Sequence, residues 1–156
     1  MDPVQVAKAS AEKMWAEDEA SRGLGMRIVD IQPGTATLTM VVTEKMLNGH
    51  EICHGGYIFL LADSAFAFAC NTYNRRTVAQ HCALTFLKSA KLGDSLQARA
   101  VERSRTGRSG IYDVTVTLKD GTAVAEFRGH SRTIEGEIVP GLSAAVTARN
   151  GEDHAR

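Results

Sequence analysis

Asp63 is the single charged side chain between His54 and Arg75, and it sits inside the apolar run GGYIFLLADSAFAFACN. Leu60, Leu61, Ala62, Ala65 and Phe66 surround it in sequence and would strip much of its hydration. A buried carboxylate without a partner is expensive, and desolvation lifts its pKa toward the range of a general base. A carboxylate that caps a backbone or pairs with an arginine explains the helix equally well. The preceding loop tips the balance. Gly55 and Gly56 open the run without side chains, so their N–H groups can approach a ligand closely at the positive end of a helix dipole. Such donors suit a developing oxyanion. A lone His-Gly-Gly is more often only a tight turn; followed by a buried Asp it is more specific.

The spacing carries a second consequence. Eight helical residues from Gly55 to Asp63 amount to about 12 Å along the axis, too far for one reacting carbon to touch both. Antiparallel helices of two copies can bring Gly55 of one chain to Asp63 of the other, which is the isologous arrangement of a twofold dimer. A dimer is therefore expected.

The elements that must position these residues are legible in outline. Pro3 after Asp2 opens a helix over about 3–21 that Gly23 and Gly25 stop. Residues 28–42 read as a hairpin turned at Pro33-Gly34, with TATLTMVV alternating as a strand. The stretch 43–53 reads as a loop leading into His54-Gly55-Gly56, and 55–71 as a buried central helix. Alternating segments at 77–88, 95–105, 110–119 and 122–132 predict meandering antiparallel strands, with turn signals between them. The predicted class is α+β, an antiparallel sheet curled around one helix that is apolar on nearly all sides. A single domain over 1–136 is expected, and the charged remainder, 137–156, is expected to be a mobile tail or to serve only assembly contacts.

Bulk properties narrow the function classes. The 156 residues suit one domain with no separate cofactor-binding unit. Eighteen acidic and 18 basic side chains balance, so charge favours neither nucleic acid nor a membrane surface as partner. Cys53, Cys70 and Cys82 have no paired spacing, which suits reduced thiols in the cytoplasm and argues against zinc. The N-terminal stretch lacks a basic-then-apolar order, so no secretory signal is expected. The longest apolar run, interrupted by Asp63, falls short of the roughly twenty residues that span a bilayer. A soluble, cytoplasmic protein is expected.

Asn48-Gly49, His54-Gly55-Gly56 and Leu61-Ala62-Asp63-Ser64-Ala65-Phe66 together resemble the hot-dog thioesterases of the PaaI type, from phenylacetate degradation. Arg128-Gly129 and Ile134-Glu135-Gly136 are also similar to that family. The resemblance implies a hot-dog fold and hydrolysis of phenylacetyl-CoA or hydroxyphenylacetyl-CoA thioesters to the free acid and coenzyme A, without metal or cofactor. It implies Asp63 as base or nucleophile, Gly55 as backbone donor to the thioester oxygen, and Asn48 as the residue that places the water. His54 and Gly56 would support substrate binding beside them. Coenzyme A carries phosphates, and the basic turn 103–110 can bind them; Arg108 and Ser109 fall where relatives have a basic and a hydroxyl residue. A solvated hairpin tip is the plainer reading of that turn. A homotetramer made of two dimers is also implied.

Two rival functions remain open at this stage. A hot-dog dehydratase or hydratase would use His54 as base with Asp63 beside it. A non-catalytic acyl-CoA binding module would keep the pocket without turnover, and would have no reason to bury Asp63.

Overall fold

The computed structural model describes residues 1–142. Helix α1 (Pro3–Glu17) begins with a capping box: the Asp2 carboxylate accepts from Gln5 N–H at 2.8 Å, and the Gln5 side chain accepts from Asp2 N–H at 2.9 Å. The expected flanking helix is broken at Asp18, whose carboxylate accepts from Ser21 N–H and starts a short helix α2 (Glu19–Gly23). Strands β1 (Arg27–Gln32) and β2 (Thr35–Val41) form the expected hairpin, with Gly34 at φ 77° in its turn. A 3-10 turn at Glu44–Met46 interrupts the following loop, and helix α3 spans Gly55–Cys70. Strands β3 (Arg75–Phe86), β4 (Ser95–Thr106), β5 (Ser109–Thr117) and β6 (Ala123–Glu137) follow.

All six strands form one antiparallel sheet in the order β1-β2-β4-β5-β6-β3. β4, β5 and β6 form the expected meander, but β3, which precedes β4 in sequence, lies at the sheet edge beyond β6. The cause is α3. The chain leaves β2, crosses the sheet as α3, and emerges at the far side. It then returns through residues 87–94, which are tied down by Val42 N–H to Asp94 O and Cys53 N–H to Ala90 O, at 2.9 and 2.8 Å. The sheet curves around the helix, whose residues Leu61, Ala62, Ala65, Phe66 and Ala69 are essentially inaccessible. Facing them are Leu38, Met40, Leu96, Ala98, Ala100, Val114, Val116 and Phe127. The small alanine side chains on both sides let helix and sheet approach closely.

Strand β6 runs five residues past its expected end, because Thr133 still pairs with Thr77 and Glu137 with Arg75. The first part of the segment expected to be mobile is anchored instead: Val139 N–H donates to Asn74 Oδ1 at 2.7 Å, and the Asn74 amide donates to Val139 O at 2.9 Å. Residues 143–156 of that segment lie outside the described residues. Strand β3 differs from the others. Nine of its twelve residues are exposed, Val78 and Phe86 among them, and it borders only β6.

Candidate active site

The loop before α3 is folded by its own polar groups. Asn48 Oδ1 accepts from His50 N–H at 2.8 Å and Ile52 N–H at 3.4 Å, while Asn48 N–H donates to Ile52 O at 2.9 Å. The Asn48 amide oxygen is therefore spent on the turn, and only its Nδ2 donor, unpartnered among the described residues, is left for a ligand. His54 is the N-cap of α3: its Nδ1 accepts from Gly56 N–H at 2.9 Å, and its backbone carbonyl accepts from Tyr57 N–H at 3.0 Å. This bond assigns the proton of a neutral His54 to Nε2. It also occupies the Gly56 N–H and gives His54 a capping role.

Gly55 is left with the one uncommitted N–H of this group among the described residues. Its missing side chain has a second consequence, because a Cβ built there would lie 2.6 Å from Cζ of Phe86. The Phe86 ring thus rests on the Gly55 backbone at the end of β3, more than half exposed. Of the aromatic side chains that could line a pocket, Phe66 and Phe68 are each 1 % exposed and belong to the core. Phe86 instead lies against the Gly55 backbone.

About two turns further along α3, Asp63 is partly buried and has no basic partner among the described residues. Desolvation raises its pKa, opposed by one hydrogen bond from the Cys82 thiol, whose Sγ lies 3.9 Å from Oδ1. The pKa of Cys82 is itself pushed up to about 11, by burial first and then by the Asp63 charge. Sequence reasoning did not connect these two residues. The alternation of β3 does put Cys82, Leu84 and Phe86 on one side, but only the pairing of β3 with β6 turns that side toward α3.

Arg108 and Ser109 lie apart from these groups, in the β4–β5 turn and at the first residue of β5, beyond the C-terminal end of α3. They line a cavity of about 250 Å³ together with Cys70, Tyr73, Arg75 and Arg105. The Arg105 guanidinium stacks 3.4 Å above the Tyr73 ring and lies 3.7 Å from Glu102, which also accepts from the Tyr73 and Tyr112 hydroxyls. Arg75 and Arg108 have no acidic partner among the described residues, so their charge is uncommitted. Among the described residues no group of three or more acidic, histidine or cysteine side chains could hold a metal ion.

A single apolar helix enclosed by a six-stranded antiparallel sheet is the hot-dog fold. Residues 50–125 match the thioesterase superfamily model. The chain is 42% identical over 129 residues to the acyl-coenzyme A thioesterase PaaI of Escherichia coli K12, covering 83% of this chain and 92% of that one. The solved structure of E. coli PaaI, from the phenylacetic acid degradation operon, superposes with a TM-score of 0.86 at 40% identity, over 87% of this chain and 99% of that one. A Streptococcus mutans protein solved with bound acetyl-CoA matches with a TM-score of 0.69 at 28% identity, over 72% of this chain and 90% of that one. The chain belongs to the thioesterase superfamily, and within it to the PaaI type. It is a thioester hydrolase, which sets aside the dehydratase and binding-module readings.

Proposed function

We propose that the chain hydrolyses phenylacetyl-CoA and ring-hydroxylated phenylacetyl-CoA to the free acid and coenzyme A, in phenylacetate catabolism, at a site shared between two copies. One observation carries the shared site: a free Gly55 N–H and an Asp63 of raised pKa lie on one helix, about 12 Å apart along its axis. Each is half of an acyl-transfer site. A twofold dimer joined along β3 would complete both halves, and the exposed, unpaired, partly apolar edge of β3 supports that contact. In this reading two such dimers pair into a tetramer, as the sequence resemblance implies.

In this reading Gly55 N–H donates to the thioester oxygen and stabilises the charge that develops there. Asn48 Nδ2 holds the attacking water. The partner's carboxylate at the Asp63 position takes a proton from that water, a role that suits a carboxylate of raised proton affinity. Arg108 and Ser109, with Arg75 beside them, take the coenzyme A phosphates by charge-assisted hydrogen bonds. The Phe86 ring against Gly55 offers an apolar wall to an aromatic acyl group. Three unpaired cysteines suit the reducing cytoplasm, and among the described residues no helix is long and apolar enough to cross a membrane.

The test is thiol release across a panel of phenylacetyl-, hydroxyphenylacetyl- and straight-chain acyl-CoA esters. The aromatic esters should show the highest kcat/KM. Straight-chain esters cleaved with equal or greater efficiency would refute the aromatic assignment.

A further inference from the structure

The carboxylate at the centre of the proposed site is held, among the described residues, by a single side-chain donor, and that donor is a thiol. Its placement is built by packing from three elements. Cys82 on β3 pairs directly with Gly129 on β6. Gly129 has no Cβ, and one built there would lie 2.7 Å from the Phe66 ring. Phe66 is one turn past Asp63 on α3 and fully buried, so its seat on Gly129 fixes how Asp63 stands over Cys82.

We infer that Cys82 is a positioning residue for the reaction: its thiol holds Asp63 Oδ1 and leaves Oδ2 free to receive the proton of the attacking water. The inference rests on the reading of Asp63 as the catalytic base. Burial and the neighbouring carboxylate push the Cys82 thiol up to about 11, so it is a donor to the ionised Asp63 at neutral pH. The titratable groups coupled to Asp63 within the described chain are Cys82 from β3 and Cys70 from the end of α3. Cys70 is pushed up to about 12, so both neighbours are neutral thiols at the pH of catalysis. The Cys82 contact therefore lowers the pKa of Asp63 against the desolvation that raises it.

The experiment compares Cys82→Ala with Cys82→Ser in the full chain, measuring kcat and KM for a thioester from acid to neutral pH. The alanine variant should lose roughly 3- to 10-fold in kcat with KM unchanged, the range of one weak hydrogen bond to a charged group. Its acid limb should move to higher pH. The serine variant, which keeps a donor, should recover most of kcat and return the limb to or below its original position. An alanine variant with the original kcat and limb, or a serine variant as impaired as alanine, would overturn the inference. A 13C titration of the Asp63 carboxyl gives a readout independent of turnover: its midpoint should rise in Cys82→Ala, and an unmoved midpoint counts against the contact. If the unmodified protein cleaves no thioester, the reading of Asp63 fails, while this titration still decides the role of Cys82.

Discussion

The two ends of α3 solve opposite physical problems. At its start, Asn48, His54, Gly55 and Gly56 form a solvated, side-chain-poor region whose useful group is a backbone N–H, fixed by the loop and by a histidine cap. Two turns later, Asp63 is useful because it is poorly solvated, with a thiol as its only side-chain hydrogen-bond partner among the described residues. Preorganised dipoles stabilise negative charge without titrating, whereas a desolvated carboxylate gains proton affinity. A hydrolase needs both, and one helix cannot present both to one carbon.

The largest contrast should come from removing the carboxylate. Asp63→Asn keeps the shape and should lower kcat by roughly 10²- to 10⁴-fold, the usual contribution of a general base. In the unmodified protein, the acid limb of kcat should fall above the ordinary carboxylate range, because burial raises this pKa. A limb at or below that range would remove the desolvation argument.

At the other end, Gly55 is the first residue of α3, where proline fits the helix and removes the N–H. His54 before it, at φ −60° and ψ 132°, already has the backbone that a following proline requires. Gly55→Pro should cost roughly 10²- to 10³-fold in kcat, as for loss of one oxyanion donor. Gly55→Ala adds the same Cβ against the Phe86 ring but keeps the donor, and should cost clearly less. Equal losses in the two variants would assign the effect to crowding.

Arg108→Ala should raise KM about tenfold and leave kcat nearly unchanged, since a charge-assisted contact to a distant phosphate acts before and during the reaction alike. A fall in kcat alone would move Arg108 out of that role.

The smallest effect is on stability. The folded pKa of Asp63 lies above its ordinary value of 3.8, so the stability associated with the neutral carboxyl is fully present below that value and is lost as pH rises through the folded pKa. Asp63→Asn escapes this loss. Its Tm by calorimetry should exceed that of the unmodified protein by a few degrees at neutral pH, with the gap closing toward pH 4.

The central helix and its carboxylate were legible because one charge in a long apolar run has few explanations. The strands were legible from alternation, with ends displaced where pairing outruns propensity, as in β6 beyond Arg132. Strand order was not: β3 and β4 are joined by a short, turn-rich segment, and only the passage of α3 across the sheet separates them. For the same reason Cys82 escaped notice, since its meeting with Asp63 depends on which edge β3 occupies. The commitment of Gly56 and of the Asn48 carbonyl to local hydrogen bonds was also invisible, because capping and turn geometry compete with ligands for the same groups.

The claim that each site draws its donor from one copy and its carboxylate from another is tested by complementation. Gly55→Pro and Asp63→Asn chains, each nearly inactive, are co-expressed with different tags and thiol release is measured on the mixture. Random pairing in twofold dimers makes about half of them mixed, each with one intact site, so roughly one quarter of full activity should return. Activity no greater than the sum of the two variants alone would contradict the shared site.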